Sequence, residues 1–74
     1  MPRLKRLSGD DACEILRQHG FALVRQRGSH MIMQRSTTDG TRSVPVPRAR
    51  ELAAGTLLSI TRQSGVPRSE FESD

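Results

Sequence analysis

The sequence predicts an α+β fold in the order α-β-β-β-α: a three-stranded antiparallel sheet with two helices on one face. Three observations carry this reading. A capped amphipathic stretch begins at Ser8. Three β-rich runs follow, separated by Gly28 and by the pair Asp39-Gly40. A second apolar stretch at helical spacing is closed by Gly65 and Pro67. Two helices laid on one side of a hairpin-connected sheet let every element bury its apolar face. The 74 residues leave room for one domain, residues 1–74, with its core over about residues 4–71.

The elements follow in order. Ser8 is a favourable N-cap, and Asp11 three residues later resembles a capping box with Asp in the place of Glu. Asp10, Asp11 and Glu14 put negative charge in the first turns, where the helix dipole favours it. Ala12, Ile15, Leu16 and His19 fall on one face, and Gly20 supplies the stop, so a helix is predicted over about Gly9–His19. Phe21–Gln26 reads as a strand, with Phe21, Leu23 and Arg25 on one face and Ala22, Val24 and Gln26 on the other. Arg27-Gly28-Ser29 is the turn, and His30–Arg35 the second strand. Ser36–Gly40 is a polar loop ending in a strong turn pair, and Thr41–Val46 is the third strand. Pro45 donates no ladder hydrogen bond and so marks an edge or a strand end. Pro47–Gly55 is a basic connection with a turn of helix expected at Glu51-Leu52. Thr56 is the expected cap of the second helix, which carries Leu57, Leu58 and Ile60. Phe71 is expected to fold back on the core ahead of a polar tail.

Composition narrows the function. Only 34% of the residues are hydrophobic, enough for one thin layer of core and too little to enclose a dinucleotide-sized cofactor. No run approaches the roughly 18 apolar residues of a membrane span. The charged residues Met1–Leu7 lead into no apolar stretch, so no secretory signal is expected and the expected location is cytoplasmic. The lone Cys13 rules out an internal disulfide and falls short of a Cys-rich zinc site. The net charge is +4, and eleven of the twelve basic residues are arginine, whose planar five-donor fork suits phosphate. The arginines cluster at Arg25 and Arg27, at Arg48 and Arg50, and at Arg3 and Arg6 beside Lys5. The acids gather at Asp10, Asp11 and Glu14 and in the tail at Glu70, Glu72 and Asp74. That separation predicts a positive face for nucleic acid or for an acidic protein. With two Phe and no Tyr or Trp, a stacking platform of exposed rings is unavailable, so contact with nucleic acid is expected through phosphates and groove shape.

His30 is the candidate for chemistry. It follows a glycine turn and opens a strand, a position that holds an imidazole rigid and facing solvent. Histidine gives and takes protons near neutral pH. Arg25 and Arg27 stand by to hold a phosphate, Gly28 permits the tight turn and lets backbone N–H groups approach a phosphate oxygen, and Ser29 adds a hydroxyl. If Met31 and Met33 point to the helices, then His30, Ile32 and Gln34 share the open face; the two methionines otherwise form a soft patch for a partner. His19, in the last turn of the first helix, and Cys13, beside its apolar stripe, read as structural.

The run Gly20-Phe21-Ala22-Leu23-Val24-Arg25-Gln26-Arg27-Gly28-Ser29-His30 resembles the signature of HicA toxins, the small ribonuclease partners of HicB antitoxins. Val44-Pro45-Val46-Pro47 resembles that family's third strand, Glu51-Leu52, Gly55-Thr56-Leu57 and Ile60 its second helix, and Gly65 with Phe71 its C-terminal turn. The resemblance spans about residues 4–71. It implies a fold like that of double-stranded-RNA-binding domains and a metal-independent messenger-RNA endonuclease needing no cofactor. It also implies a chain that is monomeric when free and is neutralised by an antitoxin covering the site. It places the catalytic histidine on His30. Many members carry histidine after the Val-Pro-Val run, where this chain has Pro47.

Read from the residues alone, three functions stay open. One is a ribonuclease using His30 as base or acid. Another is a non-catalytic RNA-binding module held by Arg25, Arg27, Lys5, Arg6, Arg48 and Arg50. The third is a module whose basic face meets an acidic protein.

Overall fold

The structure is a computed structural model and describes residues 3–73; Asp74, counted above with the acidic tail, lies outside them. The elements are β1 (Arg3–Leu4), α1 (Gly9–Gln18), β2 (Ala22–Arg27), β3 (His30–Thr37), β4 (Gly40–Pro47), α2 (Ala54–Ser64), a 3₁₀-helix (Arg68–Phe71) and β5 (Glu72–Ser73). Strands β2, β3 and β4 form the antiparallel sheet in that order, and both helices pack on one of its faces. The α-β-β-β-α order therefore stands, with one addition. Two-residue strands β1 and β5 pair antiparallel, and Lys5 N–H donates to the Phe71 carbonyl at 2.7 Å, closing the two ends of the chain on each other.

Helix α1 starts as its sequence dictates. The Ser8 N–H donates to Asp11 Oδ2 and the Asp11 N–H donates to Ser8 Oγ, both at 3.0 Å, completing the capping box. Ala12, Cys13 and Leu16 are buried from this helix, so Cys13 is a core residue, its Sγ 3.9 Å from Met31 Sδ. Gly9 has a role that its position in the first turn does not announce. Its N–H donates to the Ala49 carbonyl, and a methyl group there would run into the Pro47 carbonyl.

Helix α2 corrects two expectations. It begins at Ala54, so Thr56 lies inside its first turn and is not the cap; Ala53 takes that place without a side-chain hydrogen bond. Glu51-Leu52 forms no helical turn. Leu52 is instead buried, and its N–H donates to the Leu7 carbonyl at 2.7 Å, which pulls the connection straight across the start of α1. The closing signal reads as expected: Gly65 sits at φ +75, its N–H bonded to Thr61. Leu57 and Ile60 are buried, whereas Leu58 is turned outward.

The sheet's inner face carries Met31, Met33, Val44 and Val46, which join Leu16, Phe21, Leu57, Ile60 and Phe71 in one cluster. Met31 and Met33 are thus core. At the far end of this face Arg35 and Arg42 lie opposite each other. Arg35 Nη1 donates to the His19 carbonyl at 3.0 Å, with its guanidinium 5.4 Å from the Phe21 ring centre, and Arg42 Nη1 donates to the Gln63 carbonyl at 3.2 Å. Each arginine meets the carbonyl end of one helix, where the dipole favours a cation. Two of the eleven arginines are therefore spent on joining sheet to helices.

Candidate functional site

The site is built by the β2–β3 hairpin and the end of β4. Arg27 pairs with His30 across a two-residue turn, Gly28-Ser29. Gly28 sits at φ +56 and Ser29 does not share the positive φ, the pattern of a II′ hairpin with glycine at its first central position. Nothing lies within 4 Å of where a Gly28 side chain would project, so its backbone stands open to an approaching group. The Ser29 carbonyl accepts from Arg48 N–H at 2.6 Å, which fastens the turn to the residue just after β4. The Ser29 hydroxyl has no partner among the described residues.

Strand β2 departs from the expected alternation. Leu23 pairs with Met33 but Arg25 pairs with Ile32, so Val24 is an extra residue, a β-bulge. Leu23 and Arg25 therefore lie on opposite faces, not on one. The reason is visible in the residues themselves. Phe21 is apolar and Arg25 and Arg27 cationic at the same parity, and one face cannot bury the first while showing the other two to water; Leu23, on the inner side of this edge strand, stays 43% exposed. The bulge resolves this: Phe21 enters the core at 3% exposure, and both arginines stay on the His30 face.

The cross-strand register then lays out the open face in three rows. Arg27, His30 and Pro47 form the row at the turn; Arg25, Ile32 and Pro45 the next; Ala22, Gln34 and Ser43 the third. A depression of about 500 Å³ is lined by Arg27, Gly28, His30, Ile32 and Pro45. His30 is exposed. Pro47, which stands where many members of the resembled family carry histidine, lies directly opposite it. Sequence reasoning put Ile32 and Gln34 on one face with His30 and left open which side of the sheet that was; it overlooked Pro45, read only as an edge or strand-end marker, whose pairing with Ile32 is a matter of register.

The charges divide cleanly. Glu14 pairs with Arg17 at 3.2 Å, Glu70 with His19 at 3.1 Å and Glu72 with Arg68 at 2.7 Å. Among the described residues no acid pairs with Arg25, Arg27, Arg48 or Arg50. The hairpin thus keeps unneutralised guanidinium groups beside an exposed imidazole. Arg48 is brought to the turn through its backbone, and Arg50 follows on the same exposed connection. Among the described residues nothing bonds Lys5 or Arg6 to the hairpin; their segment is held instead to Phe71 and Leu52. His19, paired with Glu70, joins α1 to the 3₁₀-helix and stands apart from the depression.

No helix among the described residues is long and apolar enough to cross a membrane. No curated protein matches the chain. A family model described as the HicA toxin of bacterial toxin–antitoxin systems matches residues 9–66, a span from the first turn of α1 to the residue after Gly65 that takes in the whole sheet and the depression. The chain belongs to the HicA toxin family, the toxins of bacterial toxin–antitoxin systems.

Proposed function

We propose that this toxin is an endoribonuclease that cuts messenger RNA, with His30 moving the proton and the hairpin arginines holding the phosphate. The observation that carries the reading is the row Arg27–His30 at the lip of the depression, exposed and without an acid partner. RNA brings its own nucleophile, the 2′-hydroxyl. Attack on the adjacent phosphorus needs a base to take the hydroxyl proton, an acid for the departing 5′-oxygen, and positive charge for the crowded phosphate. His30 serves as the base or the acid. Arg27 and Arg25 carry the phosphate charge, and the open Gly28 backbone and the free Ser29 hydroxyl add donors. Because the nucleophile belongs to the substrate, the reaction requires no metal. An antitoxin of the HicB type neutralises the chain by covering this face.

The test is expression of the wild-type chain against His30→Ala, followed by growth and by the length of cellular messenger. Wild type is expected to arrest growth and shorten transcripts, with His30→Ala slower by about 10²-fold or more in cleavage of purified RNA. His30 is exposed, so the variant keeps its melting transition. Equal toxicity from both forms rejects the assignment. One observation favours a second reading: Pro47 opposite His30 leaves a single imidazole on the face, as an RNA-binding module without catalysis would have. RNA binding by the wild type with no cleavage decides for that reading.

A further inference from the structure

The open face carries a feature that phosphate binding does not use. Ile32 and Pro45 lie side by side in the middle row, on the side of the sheet away from both helices, and both line the depression next to His30. Apolar side chains of a small domain belong on the helix side, where Met31, Met33, Val44 and Val46 are buried. Here they form an apolar plate, Pro45 exposed and Ile32 half-buried, flanked by Arg25 and Arg27 on β2. Beyond the plate, Gln34 and Ser43 form the third row, with Gln34 Nε2 donating to Ser43 Oγ at 3.3 Å. The amide oxygen of Gln34 has no donor among the described residues. From the turn outward the face therefore offers cations and an imidazole, then a flat apolar surface, then an amide with a hydroxyl. Successive rows stand roughly 7 Å apart, two residues of strand rise.

We propose that this face binds one unpaired nucleotide of a single-stranded RNA. Its phosphate sits at the Arg27–His30 row, its base lies on Ile32 and Pro45, and the edge of that base meets Gln34 and Ser43. The order of the rows matches the order of groups in a nucleotide: anion, apolar flat face, hydrogen-bonding edge. A duplex does not fit, because its base faces are stacked on one another and its edges are paired. Phe21 and Phe71 are buried and the chain has no Tyr or Trp, so the apolar plate takes the place that aromatic rings hold in other single-strand binders. Contact with the substrate thus goes beyond phosphates and groove shape. Gln34 is the residue that sets the preferred base, since an amide offers a donor and an acceptor side by side. Naming RNA as the occupant rests on the ribonuclease reading above.

The experiment uses the full chain on a pool of random single-stranded RNA oligonucleotides and on the same oligonucleotides annealed to their complements. Wild type is expected to cut the single strands about ten-fold faster or more than the duplexes, and Ile32→Ser to raise KM for the single strands by about ten-fold. Pro45→Ala gives the same direction should Ile32→Ser fail to melt as a folded protein. Gln34→Ala is expected to redistribute the cut sites when the cleaved ends are sequenced. Duplex cut as fast as single strand, or unchanged KM together with an unchanged cut-site distribution, overturns the inference while leaving His30 chemistry standing. The binding arm separates the two claims. Fluorescence anisotropy of labelled RNA with His30→Ala is expected to favour single strand over duplex, and the preference to vanish on adding Ile32→Ser. A wild type that cuts nothing ends the ribonuclease reading; the nucleotide site then stands if the anisotropy preference is seen and falls if strand and duplex bind alike.

Discussion

Asp11 shows how a single side chain carries a pH dependence. Its carboxylate accepts from the Ser8 N–H and its own N–H is held by the Ser8 hydroxyl. The hydrogen bond from the Ser8 backbone, then that from the Ser8 side chain, hold the Asp11 carboxyl below the ordinary aspartate value. A carboxyl lowered in the folded state adds stability that is present above its unfolded value and is lost as the pH falls through the folded one. Part of the acid unfolding of this chain is therefore expected to come from Asp11, below the ordinary value near 3.8. In thermal melts, Asp11→Ala is expected to lower Tm at pH 7 and to flatten its decline in acid. A decline as steep as the wild type's removes Asp11 from the account. This cap was legible in the sequence because all its atoms lie within four residues. Gly9 was not: what forbids a side chain there is the Pro47 carbonyl, thirty-eight positions along the chain.

At the scale of elements, the β2 bulge decides what the sheet displays. Val24 is the extra residue, half exposed at 50%. Deleting it joins Leu23 directly to Arg25 and restores strict alternation, with Phe21 and Leu23 still facing inward and Arg25 and Arg27 outward. The expected cost is therefore small, about 1 kcal/mol, whereas in a strand without the bulge the same deletion would turn Phe21 out of the core at about 3 kcal/mol or more. Val24→Ser, which keeps the extra residue, is expected to cost well under about 1 kcal/mol. Urea denaturation of the two variants checks this, and a deletion that costs about 3 kcal/mol or more overturns the assigned phase shift. The same scale explains the divided use of arginine. Arg35 and Arg42, on the inner face, bind the carbonyl ends of α1 and α2, while Arg25 and Arg27, on the outer face, have no acid partner among the described residues. Identical residues in one short sheet take opposite tasks because the pleat sends them to opposite sides.

For the whole molecule, charge is segregated by architecture. Three of the acids pair at the ends of α1 and around the 3₁₀-helix, away from the hairpin face. Arg25, Arg27, Arg48 and Arg50, on and beside the hairpin, have no acid partner among the described residues, and binding to RNA is expected to weaken steeply with salt. Each phosphate contact on a single strand contributes a slope of about 0.7 in the log–log plot, so Arg25→Ala and Arg27→Ala are each expected to flatten the plot by about that amount. Lys5→Ala, on a segment held to Phe71 and not to the hairpin, is expected to change it less. Anisotropy titrations across a salt series measure this, and equal effects from all three substitutions contradict the placement of the site.

The amino-acid sequence by itself determined the order of elements, the α1 cap, the Gly28 turn, the Gly65 stop and the sharing of one face by His30, Ile32 and Gln34. Each of these depends on neighbours within one turn or one strand, where periodicity and backbone preference act directly. Tertiary structure decided the rest: the bulge that separates Leu23 from Arg25, the start of α2 at Ala54, the straight run through Leu52, the bond from Arg48 to Ser29, and the meeting of Pro45 with Ile32 and of Pro47 with His30. These depend on which strand lies opposite which, and at what register. Cross-strand register is fixed by filling a shared core between residues far apart in the chain, and no local pattern contains it.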